Sequence, residues 1–271
     1  MATVTFSTCW YNFKCKFNCD TYYQWIDNML SNVNQYNLVI YSDNESSEPL
    51  MQYLSNPRIR LIIKPYQEFY NYKYKDAWIK NHHENPLLND RVDWKVNMLW
   101  SEKIHFVHQT AHEKYFDTDF YGWCDIGYFR CTARDMSKTQ LMHWPSASKL
   151  ASLNKEKIYY ALVNDSETFI EYLYNTINNK NEAGLPKTPI TPSQISIAGG
   201  FFITYKENIE WWRDTYDERL SLYFQHHYLV KDDQIIIVDC IFSNMSRFSL
   251  CREPGNQYDN WFLFQRFLSI T

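Results

Sequence analysis

Three separated groups of residues could carry chemistry in this chain of 271 residues: Asp125-Ile126-Gly127, Gly199-Gly200 and Asp232-Asp233-Gln234. Asp125 is a carboxylate ahead of a glycine turn, the pattern of a group set at the end of a strand. Paired glycines lack Cβ atoms, so their backbone can lie against a ligand or another main chain. Asp233 or Asp232 could take a proton from a hydroxyl, or steady positive charge at a reacting carbon. Asp232 also suits a plain helix cap. Two ways of neutralising a leaving diphosphate are open. Asp125 could hold Mn²⁺ or Mg²⁺, with water and the diphosphate completing an octahedral shell, or Lys103 and Arg130 could supply the charge directly. The chemistry this set suits is displacement of a diphosphate at a carbon centre by a hydroxyl.

These groups need elements that deliver them to one place. Residues 3 to 8 are β-branched and aromatic enough for a first strand. Asp20 is placed as the N-cap of a helix with Tyr23, Ile26, Met29 or Leu30, and Val33 at helical spacing, and Leu38 to Tyr41 forms a second strand. A short helix over 47 to 54 and a third strand, Ile59 to Ile63, complete a βαβαβ pattern, which predicts a parallel sheet covered by helices. Pro65 to Asn85 reads as a helix with its connections, and 93 to 115 as a long helix with Val96, Leu99, Trp100, Ile104 and Val107 on one face. That helix leads to a strand, Phe120 to Cys124, ending at Asp125. In parallel α/β sheets ligands gather beyond the carboxyl ends of the strands, which makes Asp125 well placed.

Further along, Ile158 to Val163 reads as a strand and 166 to 178 as a helix. The Pro-rich stretch 181 to 194 reads as a loop long enough to be a lid. Ile195 to Thr204 reads as a strand with the paired glycines in its middle. A long helix over 206 to 229 follows, and Asp232-Asp233 opens a last apolar helix, Ile235 to Phe242. No repeat or linker divides the chain, so the expectation is one α/β domain. Residues 1–125 would form its nucleotide-binding half and 126–271 its acceptor and catalytic half.

Composition narrows the partners. Net charge is −4, from 27 basic and 31 acidic side chains. These are scattered, with no basic stripe of the kind nucleic-acid binding needs. Lys73, Lys75 and Lys80 read as a solvated helix face. No apolar run reaches the roughly 20 residues that cross a bilayer, and the start of the chain lacks the look of a signal peptide, so a soluble, cytoplasmic protein is expected. The seven cysteines contain no CxxC pair and read as free buried thiols. Aromatic residues make up 18 % of the chain, a composition that suits stacking against sugar rings but also simply fills cores. His105, His108 and His112 share a helix face that could gather a metal, although partly buried, hydrogen-bonded histidines are the commoner case. There is no GxSxG, P-loop or GxGxxG, so hydrolase, NTPase and dehydrogenase readings have no support.

At these motifs the chain resembles the HtrL/YibB-like glycosyltransferase family and, more distantly, the glycogenin-like GT-A enzymes. The resemblance covers most of the chain. It is carried by Trp100 with Lys103, Trp123-Cys124-Asp125-Ile126-Gly127, Ala198-Gly199-Gly200-Phe201-Phe202 and Asp232-Asp233-Gln234. It implies a GT-A fold and a nucleotide-sugar donor, such as a UDP-sugar, with a glycan or other hydroxyl acceptor. Asp125 would take the Asp-x-Asp position, Lys103 would touch donor phosphate or sugar, Gly199-Gly200 would form the floor, and Asp233-Gln234 would stand beside the reaction centre. By the same analogy Thr8, Tyr11 and Asp43 would line the nucleotide pocket. The chain departs from the pattern in two places. Trp123 stands where a full Asp-x-Asp has an acid, and no histidine follows His227 to serve as the C-terminal metal ligand. A rival expectation is a non-catalytic domain of the same fold that binds a nucleotide sugar or glycan. Nucleotidyl transfer would instead want a Gly-rich loop after the first strand, and residues 9 to 19 contain no glycine.

Overall fold

The computed structural model describes residues 2–14, 16–130, 136, 138–164, 166–255 and 258–269. Its elements run β1 (Val4–Trp10), α1 (Cys19–Leu30), β2 (Asn37–Ser42), β3 (Ile59–Ile63), α2 (Lys75–His83), α3 (Trp94–His112), β4 (Phe120–Cys124), α4 (Lys138–Leu141), α5 (Ala147–Ala151), β5 (Ile158–Ala161), α6 (Glu167–Asn178), β6 (Phe201–Tyr205), α7 (Ile209–Gln225), α8 (Asp233–Ser243), β7 (Phe248–Cys251) and α9 (Leu263–Phe267). The strands form one sheet in the order β3-β2-β1-β4-β6-β5-β7. Four of the six pairings are parallel, and β6 runs antiparallel to both β4 and β5. The fold is a single α/β domain with a mostly parallel sheet, as the βαβαβ pattern predicts.

Alternation along the strands sorts side chains to the two faces. Leu38 and Ile40 of β2 join Phe6 of β1 and Ile26 and Met29 of α1 in the core on one side. Val39 and Tyr41 point to the other, against α3, α7 and α8. Both layers are buried, which is what a central sheet with helices on each face requires. No helix among the described residues is long and apolar enough to cross a membrane.

Several local expectations are corrected. The cap of α1 is Asn18, whose Oδ1 accepts from Thr21 N at 2.9 Å, and Asp20 sits in the first turn, where its charge still suits the helix dipole. Tyr23 is exposed and Trp25 takes the buried place. Residues 48 to 53 and 70 to 74 are 3₁₀ turns. The α7 helix stops at Gln225, and His227 adopts a positive φ just beyond it. The strand expected over Ile195 to Thr204 begins only at Phe201, with Gly199 and Gly200 forming a turn ahead of it. The strand β7 and the helix α9 lie in a tail to which the sequence reading assigns no element.

The thiol reading holds for Cys124, Cys240 and Cys251, which are free and buried; Cys9 is free but partly open, and Cys19 is exposed. Cys15 and Cys131 lie outside the described residues. His105 is buried and stacks on Tyr70 at 4.1 Å, and its Nε2 has no hydrogen-bond partner among the described residues. His108 and His112 stack on each other.

Candidate active site

The site forms where β1, β4 and the turn before β6 end together, under the middle of α3. Asp125 N donates to Gly200 O at 2.9 Å, and Tyr128 N donates to Asp125 O at 2.8 Å, which fixes the turn carrying the carboxylate. The two glycines permit this approach. A Cβ on Gly200 would lie 3.1 Å from Asp125 Oδ2, and one on Gly199 would lie 2.9 Å from Asp233 Oδ2. Side chains here would push the two carboxylates out of place, which explains why paired glycines sit at this turn.

Lys103 holds the centre. It is buried on α3, between the carboxylates that the sequence keeps more than a hundred positions apart. Its Nζ lies 3.2 Å from Asp125 Oδ1 and 3.2 Å from Asp233 Oδ2, and donates to Gly199 O at 2.9 Å. Burial by itself would lower the Lys103 pKa, but the Asp125 and Asp233 charges outweigh it and hold the ammonium above its ordinary value. The neighbouring Glu102 faces the other way, accepting from Tyr70 N, Asn71 N and Asn71 Nδ2 at 2.6 to 3.0 Å. Burial pushes its carboxyl up to about 7.

Asp233 opens α8 and is only 3 % exposed. Burial, reinforced by Asp232 and Asp125 and opposed by Lys103, pushes its carboxyl up to about 6. Its Oδ2 touches Lys103 as an ion pair but receives no aligned hydrogen bond, because Lys103 directs its best-aligned bond to Gly199 O. Asp232 pairs with Lys231 through Oδ2 at 2.9 Å, while its Oδ1 is buried without a partner among the described residues. It occupies the cap position of α8 without making a side-chain cap bond. Asp232 Oδ1 therefore remains available to a hydroxyl or ammonium donor, and Asp233 Oδ2 keeps lone-pair capacity beyond its ion pair with Lys103.

Two cavities adjoin this centre. A narrow one of about 110 Å³ is walled by Trp10, Tyr11, Phe13, Trp100 and Trp123, with Lys103 and Asp125 at its side. A wider one of about 520 Å³ is bordered by Asp125, Gly199, Gly200, Asp232, Asp233 and Gln234, with Trp261 and Phe262 opposite. Lys16 and Arg130 border both. The structure thus brings together Tyr11, Lys103, Asp125, Arg130, Gly199, Gly200, Asp232, Asp233 and Gln234.

It does not bring Thr8 or Asp43 to either cavity. Thr8 is wholly buried in β1, and Asp43 accepts Ser46 N at 2.8 Å to close a turn after β2. Tyr11 is itself buried and donates to Lys64 O at 2.7 Å. Sequence reasoning missed Lys16, Trp261 and Phe262. Trp261 and Phe262 come from the C-terminal tail, which is anchored by Gln265 Nε2 donating to Tyr128 O at 2.7 Å. A lone lysine in an irregular segment gives no periodic signal.

The donor set does not fit a resident divalent cation. Asp125 Oδ1 already receives Trp123 Nε1 at 2.5 Å and the Lys103 ammonium at 3.2 Å. Its Oδ2 is turned to Gly200, and no group of three or more His, Cys, Asp or Glu among the described residues could hold a metal. A hard dication wants several oxygens around it, and an ammonium within the same shell repels it. The indole N–H of Trp123 therefore orients the Asp125 carboxylate.

No protein-family model matches the chain, and no curated protein matches it. Solved structures do. Mouse xyloside xylosyltransferase 1 in its apo form superposes with a TM-score of 0.50 at 9 % identity, over 92 % of this chain and 85 % of that one. The galactosyltransferase LgtC with donor and acceptor sugar analogues gives a TM-score of 0.44 at 10 % identity, over 88 % and 69 %. At such identity the likeness to the xylosyltransferase shows a shared fold: this chain has the GT-A architecture found in glycosyltransferases.

Proposed function

We propose that the protein is a glycosyltransferase that moves a hexosyl or pentosyl unit from a nucleotide-diphosphate sugar to a hydroxyl of a glycan or other acceptor. The observation that carries the reading is Asp233: a buried carboxylate held by Lys103 at 3.2 Å beside the Gly199-Gly200 turn, on the border of the wider cavity. The resemblance to the HtrL/YibB-like family agrees with it, as does the GT-A fold. Residues 1–125 supply most of the wall of the narrow aromatic cavity, which suits the nucleotide, and the acidic groups past residue 126 border the wider one, which suits sugar and acceptor.

In this reading Asp233 acts at the reaction centre. A carboxylate raised to about 6 is mostly ionised at neutral pH and a stronger base than an exposed aspartate. Lys103 holds it and Asp125 in register, and the unpartnered Asp232 Oδ1 accepts a sugar hydroxyl. Trp261 and Phe262 offer apolar faces on which a sugar ring can stack.

The test is a thermal-shift screen with UDP-, GDP-, CMP- and dTDP-sugars, followed by a transfer assay with the donor that binds. A ligand at 100 times its Kd raises stability by about 2.7 kcal/mol. Binding with turnover supports the reading; binding without turnover or donor hydrolysis leaves a nucleotide-sugar-binding domain; a chain that no donor stabilises sinks both. The anomeric configuration of the product, read by NMR, assigns the role of Asp233. An inverted product makes it the base for the acceptor hydroxyl, and a retained one sets it against the anomeric carbon.

A further inference from the structure

A diphosphate entering this site meets ammonium groups that are already engaged. Lys103 is paired with Asp125 and Asp233, and Lys231 with Asp232, so three carboxylates face two ammonium groups. That cluster carries excess negative charge and by itself opposes a second anion. Lys103 alone therefore does not account for holding a leaving diphosphate, and the Asp125 carboxylate offers no shell for a divalent cation that could do so.

Two cations border both cavities and pair with no carboxylate among the described residues: Lys16 and Arg130. Lys16 comes from the irregular segment after β1, solvent-exposed, with its Nζ 4.9 Å from the centre of the Trp100 ring. Partial desolvation at the cavity mouth, with Lys231 and Lys103, lowers its pKa, while Asp232 and Asp233 oppose this, which places its ammonium within the field of the acidic cluster. Arg130 follows the Asp125 turn. Its Nε donates to Gly127 O at 2.7 Å, and its guanidinium lies 4.4 Å from the Trp25 ring and 5.1 Å from that of Phe262. Those rings hold the fork in place, and its remaining N–H donors bond to no group among the described residues, which leaves them to phosphate oxygens. Both cations stand where the narrow aromatic slot meets the wider space, which is where a diphosphate linking base and sugar would lie.

We propose that Lys16 and Arg130 together seat the donor's diphosphate, and that transfer proceeds without a divalent cation. The proposal rests on the transferase reading above. As the bond from the anomeric carbon to the diphosphate oxygen breaks, its electron pair passes to that oxygen. The acceptor oxygen forms the new bond to carbon, and its proton passes to the Asp233 carboxylate where the product is inverted, or to the departing diphosphate oxygen where it is retained. The charge that grows on the departing diphosphate meets the Lys16 ammonium and the Arg130 guanidinium, while Lys103 stays with its two carboxylates.

The test is calorimetric titration of the full chain with UDP, GDP, CDP and dTDP, first in EDTA and then in Mg²⁺ or Mn²⁺. One diphosphate should bind in EDTA with the affinity it shows in metal. Lys16→Gln and Arg130→Gln should each weaken it about tenfold while changing the affinity of the parent nucleoside little. Lys16 is exposed, so its variant reports on the seat without threatening the fold; near-ultraviolet circular dichroism checks Arg130→Gln. Binding that appears only with the cation overturns the metal-free seat and leaves the transferase reading standing. Unchanged diphosphate affinity in Lys16→Gln overturns the seat as drawn. Failure of every diphosphate in both conditions overturns the proposal and the transferase reading together.

Discussion

The α8 helix carries two buried aspartates that do opposite things. Asp239 is wholly buried and saturated: Oδ1 receives Lys180 Nζ at 2.8 Å and Ser243 Oγ at 3.0 Å, and Oδ2 receives Tyr223 OH at 2.8 Å with Arg219 at 3.7 Å. Arg219 in turn donates to Gly184 O at 2.7 Å, so this cluster ties the Pro-rich loop to α7 and α8. Asp233, six residues earlier, has one ammonium shared with a second carboxylate, an oxygen without an aligned donor, and a cavity at its side. Charge and burial are alike in the two places. What separates them is saturation: a carboxylate with every lone pair used can only hold structure, whereas one left short can take a proton or a ligand.

That contrast predicts different failures. Asp239→Ala leaves Lys180 and Arg219 facing an empty interior and should lower unfolding stability by about 3–5 kcal/mol, read by urea denaturation. Asp233→Asn should do the reverse: a fall in kcat of about 10²- to 10⁴-fold with no loss of melting temperature, because an amide removes a costly buried charge. If Asp239→Ala retained full stability, or Asp233→Asn full turnover, the division between the two clusters would be wrong. A milder probe is the glycine turn. Gly199→Ala sets a Cβ 2.9 Å from Asp233 Oδ2 and should cost about 1–3 kcal/mol in transfer, measured as kcat/KM, with the Asp239 cluster undisturbed.

The division also marks what the sequence makes legible. The strands β3 and β4 match their expected bounds, because short apolar runs bounded by Pro, Asn and Asp leave little freedom. Asp125 and Asp233 could be singled out since each stands where an element begins or ends, and the glycines since a backbone without Cβ atoms permits close approach. Less was legible in three places. The paired glycines read as mid-strand because the apolar residues on both sides hide a turn, whose need arises only from carboxylates delivered by β4 and α8. Lys103 could be named, but not its double pairing, which depends on how α3 crosses the sheet. Thr8 and Asp43 were carried by analogy alone, and neither borders a cavity. The Asp239 cluster went unseen, since Lys180, Arg219 and Asp239 meet only after α6, α7 and α8 pack together.

The smallest effect is the most discriminating, because pH moves stability and activity in opposite senses. Burial in the folded chain pushes the Asp233 carboxyl from its ordinary 3.8 up to about 6. Between those values the folded chain keeps a proton that the unfolded chain has released, so stability falls as pH rises through this window and levels off above it. Glu102, raised from 4.5 to about 7, adds the same sign up to about pH 7. Turnover needs Asp233 ionised, so kcat should rise through pH 6, about tenfold per unit on its acid side. Asp233→Asn should remove its share of the slope between about pH 3.8 and 6 and leave the limb belonging to Glu102, between about pH 4.5 and 7, whereas Glu102→Gln should remove that limb and leave the rise in kcat. A kcat profile that stayed flat from pH 5 to pH 8 with chemistry rate-limiting would mean that Asp233 is as structural as Asp239, and that the unsaturated oxygen serves ligand binding alone.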